Sequence, residues 1–579
     1  MSNEVILLSD IPNQTEETYA ARYAGPYVIK SKLNSAGINT ILLDWFCFIK
    51  DPKSFIEYFE NFIDENTKVI GISTTFLHPP RHGKKLNSGD PFSAQSSVEL
   101  EDEENQNSNM VKTKEITKES VIRQALYLWH DTEEDLTLWF KELRQLLDKY
   151  NPNAKIILGG ARIPTILHQT DLVDEEFALC KYVDYAFMGM ADDAIVRFAK
   201  LLKQNKKIEV TKTKKGINYI YCDRDPWKSA HTLPGPINYQ KQDCFEKSHW
   251  AGLEIGRGCA FNCKFCYYEK RFSNKKDLHD LSEELKKNYY DFGIQGYNIT
   301  ADCFNDNRKF VGAWAEMTAK LPFKIEWASY VRIDPFHKWP EMMDEMIASG
   351  YRAGFFGIET LSHAAGKAAG KGLNPDRVKE LIALLKSKGE TWFTAYMILG
   401  LPKETHESLQ ESLDWLLKQR LIDEVQTSVL DIGPFIEDLA GVIDFSDHAR
   451  NPQKYGFNKV EFEPEFYWEH DTMNLPDALK IDQIWKEAFE DHPFTRFGGS
   501  AHGEYVRIRD LGLNHREAVI YMKTKFRTGK KIINIDEKKK KAFKNYVIDL
   551  SKQNIERYYR NFLDINRVRY AQSNSVYSS

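Results

Sequence analysis

The chain has 579 residues, of which 42% are hydrophobic and 28% charged, the composition of a folded protein with about three to four domains, fewer if one is a barrel. A net charge of −5 gives no general attraction to nucleic acid or to an anionic membrane. Composition therefore excludes a broadly basic surface and names no partner.

The opening "MSNEVILLSDIPNQ" has an apolar run of four residues between acidic ones, too short and wrongly flanked for a signal peptide. No stretch approaches the roughly 18 apolar residues of a membrane span. From residue 4 to about 205, short apolar runs alternate with helical periods. "EVILLSD", "NTILLDW", "KVIGISTTF", "KIILGGAR" and "YVDYAFMGM" read as buried parallel strands, apolar on consecutive positions. Between them "YVIKSKLNSAG", "SFIEYFENFIDE", "DLTLWFKELRQLLDKY" and "DDAIVRFAKLLK" carry apolar residues three and four apart. Strict alternation predicts a doubly wound, Rossmann-like α/β domain over 1–205, with its ligand at the carboxyl ends of the strands. A polar insertion at about 78–118 has no consistent period and reads as a surface loop, or as a lid because it follows the third strand.

Residues 206–249 combine a hairpin, "IEVTKTKKGINYIYCD", with a Pro- and Gly-containing linker, and are the expected domain boundary. From 250 to 435, six further strand candidates recur: "WAGLEIG", "GYNITAD", "KIEWASYVRID", "RAGFFGIET", "TWFTAYMILG" and "EVQTSVLDIG". With helical patterns between them they predict a partial (β/α)6 TIM-like barrel, whose site is built at the strand ends. Asp302, Ser329, Arg332, Glu359 and Glu404 fall there. Residues 436–579 read as a mainly helical, aromatic C-terminal domain in which Trp468, His470 and His502 are candidates to face the site. The run Lys538 to Lys541 reads as a solvated helix face.

Eight cysteines without regularly spaced pairs imply a cytoplasmic, reducing compartment. Three of them, Cys259, Cys263 and Cys266, stand in "GRGCAFNCKFCYYEK" directly after the first barrel strand. Their spacing of four and three would align them on one helix face, but Gly256, Gly258 and Asn262 disfavour a continuous helix. A loop can wrap three thiolates around one centre. A structural zinc site would need a fourth ligand, Cys244 or Cys303. An iron-sulfur cluster on three thiolates instead leaves one iron open to a ligand.

C-x3-C-x2-C after the first strand of a (β/α) barrel resembles the radical S-adenosylmethionine superfamily. The resemblance implies a [4Fe-4S] cluster on Cys259, Cys263 and Cys266. In that family the cluster holds S-adenosylmethionine and delivers one electron to it, giving a 5'-deoxyadenosyl radical that abstracts hydrogen from an unactivated carbon. Phe265 and Tyr267 match the aromatic residues that the family packs near the adenine. "YNITADCFND" resembles the segment reaching the methionine amine, through Thr300 and Asp302. "WASYVRID" resembles the strand that contacts ribose and carboxylate, through Ser329 and Arg332. "GIET" places Glu359 where members of the family present an acid toward the cofactor. "ILGLPKET" resembles a "GLPGET" turn, contributing Gly400, with Lys403 where glycine is usual.

The N-terminal domain resembles the cobalamin-binding domain of one radical subfamily, with Ser73, Thr74, Thr75, Gly159 and Gly160 matching segments that line the corrin and its nucleotide tail. Two motifs depart. Pro12 stands where classical cobalamin carriers place the cobalt-ligating His, and "GMADDA" replaces a Gly-Glu-Gly-Glu turn. The resemblance implies a cobalamin-dependent radical methyltransferase for a small-molecule or peptide substrate, served by an electron donor such as flavodoxin or ferredoxin, with neither membrane nor nucleic acid as partner. Alternatives are a radical cyclase or rearrangement enzyme, and a non-catalytic cobalamin binder with a degenerate barrel. Methylthiolation is disfavoured because the N-terminal cysteine set of a second cluster is missing.

Overall fold

The structure, a computed structural model, describes residues 2–9, 22–46, 52–75, 133–161, 181–222, 233–267, 273–389, 391–433, 445–461, 467–490, 511–524 and 537–568, with single residues and short runs between them. The insertion at 78–118, Pro12 and His502 lie outside the described residues. The chain divides into two compact units: residues 1–19, 25–245 and 551–579, and residues 20–24 and 246–550.

The first unit holds a seven-stranded sheet. β1 (Val5–Leu8), β2 (Thr40–Leu43), β3 (Val69–Ser73), β4 (Lys155–Gly159) and β5 (Tyr185–Met188) are the five expected strands. Apart from one or two half-buried residues on the later strands, they are buried throughout, which is why they read as apolar runs. The hairpin of β6 (Lys212–Lys214) and β7 (Ile217–Tyr221) does not stand apart as a boundary. β7 pairs parallel with β5, and the order is β2-β1-β3-β4-β5-β7-β6. Because the order reverses at β1, crossovers leave on both faces. The helix Ala24–Ser35 meets Asp192–Lys203 through Lys32 and Asp193, 3.1 Å apart, while Pro52–Phe59 packs on Glu133–Tyr150. The expected doubly wound domain is thus formed.

The second unit holds the six expected strands, β8 (Trp250–Glu254), then, after a short hairpin of β9 (Gly256–Arg257) and β10 (Asn274–Lys275), β11 (Gly296–Thr300), β12 (Glu326–Val331), β13 (Tyr351–Glu359), β14 (Trp392–Leu399) and β15 (Glu424–Val429). All six pair parallel in sequential order, and β19 (Arg496–Phe497) extends the sheet beyond β15. A sheet whose order never reverses carries its right-handed crossovers on one face. Successive helices accordingly pack side by side, Arg308–Ala319 on Glu341–Ala348 and the latter on Pro375–Lys388. Local chemistry sets their ends: Asp277, Asn307, Asn374 and Thr405 cap N-termini with their side chains, and Gly293 and Gly370 end helices at φ +73° and +79°. The outer edge of β8 is covered by the chain around Arg22, whose N–H donates to Trp250 O at 3.0 Å.

The region expected as a separate C-terminal domain is divided. Residues 436–550 fall in the second unit, and those from 551 onward in the first. It is helical over Leu475–Glu490, His515–Thr524 and Glu537–Asn566, the last helix carrying Lys538 to Lys541, but its aromatic part forms a three-stranded sheet of β16 (Phe457–Glu461), β17 (Tyr467–His470) and β18 (Met473–Asn474).

Candidate active site

Cys259, Cys263 and Cys266 lie half-buried in an irregular loop after β9, not on a helix. Two carboxylates from the loop after β11 hold it open. Asp302 Oδ2 accepts from Gly258 N at 2.9 Å, and Asp306 Oδ2 from Ala260 N at 3.1 Å. Gly258 sits at φ +80°, where a side chain would be strained. Further along, Lys264 N donates to Ala369 O, and a Cβ on Gly370 would come 3.1 Å from Asn262 O, so the loop rests against the end of the helix His363–Ala369.

Among the described residues no three His, Cys, Asp or Glu side chains converge on a point where one metal ion could sit. A four-iron cluster does not ask for such convergence, because each thiolate binds a different iron. The donor set, three thiols on one open loop, suits that group better than a single zinc ion. Cys303 is buried beside Cys259; interaction with Cys303 lowers the Cys259 thiol below the ordinary range, while burial holds Cys303 well above it.

Two strand ends face this loop with groups that lack partners. Arg332, after β12, donates from Nη1 to Cys263 Sγ at 2.8 Å and from Nη2 to Asp334, yet its Nε is buried without a partner. Glu359 ends β13 at φ +67°, where a bulge between Gly357 and Glu359 re-aims the side chain. Its Oε1 lies 3.5 Å from Lys371 Nζ, and its Oε2 is buried without a partner. Burial raises its carboxyl against the opposing charges of Lys371 and Arg332. Gly357 makes room, since a Cβ there would come 2.3 Å from Glu359 Oε1. An unpaired buried donor and an unpaired buried acceptor are costly unless a ligand meets them.

The remaining expected residues divide. Asp302 serves the loop's backbone, and burial raises its carboxyl. Thr300 is exposed at the end of β11, and Phe265 is half-buried in the cysteine loop. Tyr267 is 38% exposed, its hydroxyl donating to Asp431 O and accepting from Gly433 N. Ser329 is not brought to the opening: its hydroxyl is buried and donates to Ile299 O at 3.0 Å. Its neighbour Tyr330 is 45% exposed instead and begins a row of rings, Tyr330, Phe355 and Tyr396, with centroids 5.0 Å apart across β12, β13 and β14.

Gly400 opens the turn after β14 at φ +88°, and a Cβ would come 2.5 Å from Trp468. Lys403 takes φ +72°, so the turn keeps a glycine-like backbone although lysine occupies it. Glu404 fastens the turn from inside, accepting from Gly400 N, Leu401 N and the Thr360 hydroxyl at 2.9, 3.2 and 2.6 Å; burial raises its carboxyl to about 7. Trp468 and His470 pack on the same turn, His470 Nε2 lying 3.0 Å from Gly400 O, and so support it structurally. Sequence reasoning missed Asn305, Asp306, Lys371 and Asp334, although Asn305 and Asp306 end the quoted "YNITADCFND" and Asp334 stands two residues after Arg332.

In the first unit the expected ligand residues gather at the ends of β3 and β4. Thr74 donates from its N and its hydroxyl to Gly159 O at 2.7 and 3.0 Å, and Ala161 N donates to Thr75 Oγ1 at 3.2 Å. Ser73, half-buried, ends β3 opposite Gly159. Gly160 is exposed at φ +109°, and a Cβ would press to 2.7 Å from Thr75 Oγ1; Gly159 faces open space. A large ligand can approach such backbone closely. "GMADDA" turns at Gly189, φ +89°, directly into the helix Asp192–Lys203, whose two first-turn aspartates stand at its positive end.

Residues 253–416 match the Radical SAM superfamily. An uncharacterized methyltransferase of Pyrococcus horikoshii is 23% identical over 285 residues, 46% of this chain and 59% of that one; the ribosomal protein uS12 methylthiotransferase RimO of Heliobacterium modesticaldum is 24% identical over 317 residues, 52% and 60%. The chain thus spans about three fifths of the length of these curated relatives. Among solved structures, the radical S-adenosylmethionine methyltransferase TsrM from Kitasatospora setae, with cobalamin and a [4Fe-4S] cluster bound, superposes with a TM-score of 0.54 at 12% identity, covering 96% of this chain and 100% of TsrM. OxsB, a cobalamin-dependent S-adenosylmethionine radical enzyme with aqua-cobalamin bound, gives 0.52 at 12% identity, covering 97% and 83%. The cysteine loop thus lies in a segment, 253–416, that matches the Radical SAM superfamily, and the chain as a whole has the fold of TsrM and OxsB.

Proposed function

We propose that this chain binds a [4Fe-4S] cluster, S-adenosylmethionine and cobalamin, and transfers a methyl group to an unactivated carbon of a small-molecule or peptide substrate. The observation that carries the reading is the meeting of three loop cysteines with the partnerless Arg332 Nε and Glu359 Oε2 at neighbouring strand ends. When bound, these groups supply a one-electron route to a carbon radical and a carrier for methyl. Cys259, Cys263 and Cys266 would hold the cluster. Arg332 and Glu359 match a ligand bearing both a carboxylate and a cation, as the methionine part of S-adenosylmethionine does. Thr74, Thr75, Gly159 and Gly160 would receive cobalamin, and TsrM and OxsB, which share the fold, are each described with it bound.

The row of Tyr330, Phe355 and Tyr396 offers an apolar surface for substrate on the strand parity of Arg332. Methylthiolation, the activity named for RimO, is disfavoured by the cysteine distribution: only Cys47, Cys180, Cys222 and Cys244 precede the loop, and none is closely spaced with another. A reducing cytoplasm and a flavodoxin- or ferredoxin-type donor suit an enzyme with open thiols and a need for single electrons. Among the described residues no helix is long and apolar enough to cross a membrane.

Anaerobic reconstitution tests the proposal through iron and sulfide per chain, cobalamin retained, and 5'-deoxyadenosine formed with dithionite. About four irons, one cobalamin and 5'-deoxyadenosine are expected. No 5'-deoxyadenosine under any reductant would sink the radical reading. Its formation without retained cobalamin would favour a cyclase or rearrangement enzyme.

A further inference from the structure

Arg332 is fixed more firmly than a ligand grip requires. Its guanidinium lies 4.0 Å from the centre of the Phe261 ring, Nη2 is paired with Asp334, and Nη1 donates to Cys263 Sγ at 2.8 Å. Its main chain is clasped by one side chain: Asn305 Oδ1 accepts from Arg332 N at 2.9 Å, and Asn305 Nδ2 donates to Arg332 O at 2.8 Å. The residue is only 7% exposed. Phe261 is a loop residue two positions before Cys263, so ring, cation and sulfur form one packed group.

We propose that Arg332 is a positioning residue for the cluster itself: it hydrogen-bonds the Cys263 thiolate and raises the cluster's reduction potential. The inference rests on the cluster reading above. A reduced cluster carries one more negative charge, which a guanidinium held on a ligating sulfur stabilises, the more so where burial keeps water from screening it. Hydrogen bonds to the sulfurs and orientation of ligands by their neighbours are established means of tuning such centres. The step is balanced by one electron from an external one-electron donor; no bond is made or broken, and Arg332 keeps its proton.

The test uses the full chain, reconstituted anaerobically without S-adenosylmethionine, as wild type, R332K and R332Q. Iron per chain is measured, and the midpoint potential is read by dithionite titration with redox mediators, from visible bleaching and the EPR signal of the reduced cluster. R332Q is expected to retain iron and to show a more negative midpoint, with R332K between it and wild type. Equal midpoints at equal iron would overturn the inference and return Arg332 to a role in ligand binding alone, visible as weakened S-adenosylmethionine binding in equilibrium dialysis. If R332Q loses its cluster, F261L decides, because it frees the guanidinium without changing charge: a lowered midpoint supports the inference, an unchanged one overturns it. Absence of iron from the wild type would overturn the cluster reading, and this inference with it.

Discussion

Both units are built on a seven-stranded, mostly parallel sheet, yet the strand ends of the two present different chemistry. In the first, the order reverses at β1 and the ends of β3 and β4 offer backbone, hydroxyls and two glycines. In the second, the order runs one way from β8 to β15 and the ends carry Arg332, Glu359, Glu404 and the carboxylates that brace three thiols. The first arrangement suits close contact with a large preformed molecule. The second suits charge, electrons and protons held at fixed atoms. Reversal or continuity of strand order does not itself choose the chemistry, but it decides whether a ligand meets a crevice or a side-chain-lined concave face.

The sharpest way to separate the two is to remove one chemistry at a time. Replacing Cys259, Cys263 and Cys266 together by Ala should abolish iron binding and 5'-deoxyadenosine formation while leaving cobalamin retention near wild type, measured by iron assay and visible spectroscopy. Loss of both ligands would break the contrast. Conversely, G160V puts a β-branched residue at φ +109° against Thr75. It should lower cobalamin retention at least tenfold and cost about 1–3 kcal/mol in denaturant unfolding, with iron unchanged.

A subtler expectation concerns proton uptake in the second unit. The Glu404 carboxyl is raised from 4.5 to about 7 by burial, so the folded state binds its proton more tightly than the unfolded chain. Stability from this group is then full below about pH 4.5 and is lost as pH rises toward 7, on the order of 3 kcal/mol in total. Denaturant unfolding between pH 5 and 8 should show that decline, and E404Q should flatten it. The smallest effect belongs to Lys403, whose φ of +72° is offset only by an exposed ion pair with Asp471 at 2.8 Å. K403G should change stability by less than about 1 kcal/mol in thermal unfolding.

Much of this was legible in the residues. The five expected strands of the first sheet appeared as apolar runs because parallel strands covered on both faces have no polar side to alternate, whereas β11 and β15 of the second carry half-buried polar residues and were legible by their recurrence between helical patterns. The cysteine loop was legible because glycines broke the helical spacing. Ser329 could have been read correctly too: in "WASYVR" a period of two puts Ser329 with Trp327 and Val331, and Tyr330 with Arg332. The clasp of Asn305 on Arg332, the approach of Lys371 to Glu359 and the bulge that aims Glu359 depend on how distant loops meet, which no local pattern encodes. The division of the chain was hidden for the same reason, since the last helix carries no mark of which sheet it serves.

That helix also sets an order of events during synthesis. Its residues beyond Ser551 complete the first unit: Tyr558 accepts from Asp44 N, Tyr559 donates to Trp45 O, and Asn566 donates to Gln242 O. A ribosome adding about 5–20 residues per second would therefore finish the first sheet's strands some tens of seconds before the segment that seals them emerges. Of the two sheets, the one made first is the last to be closed.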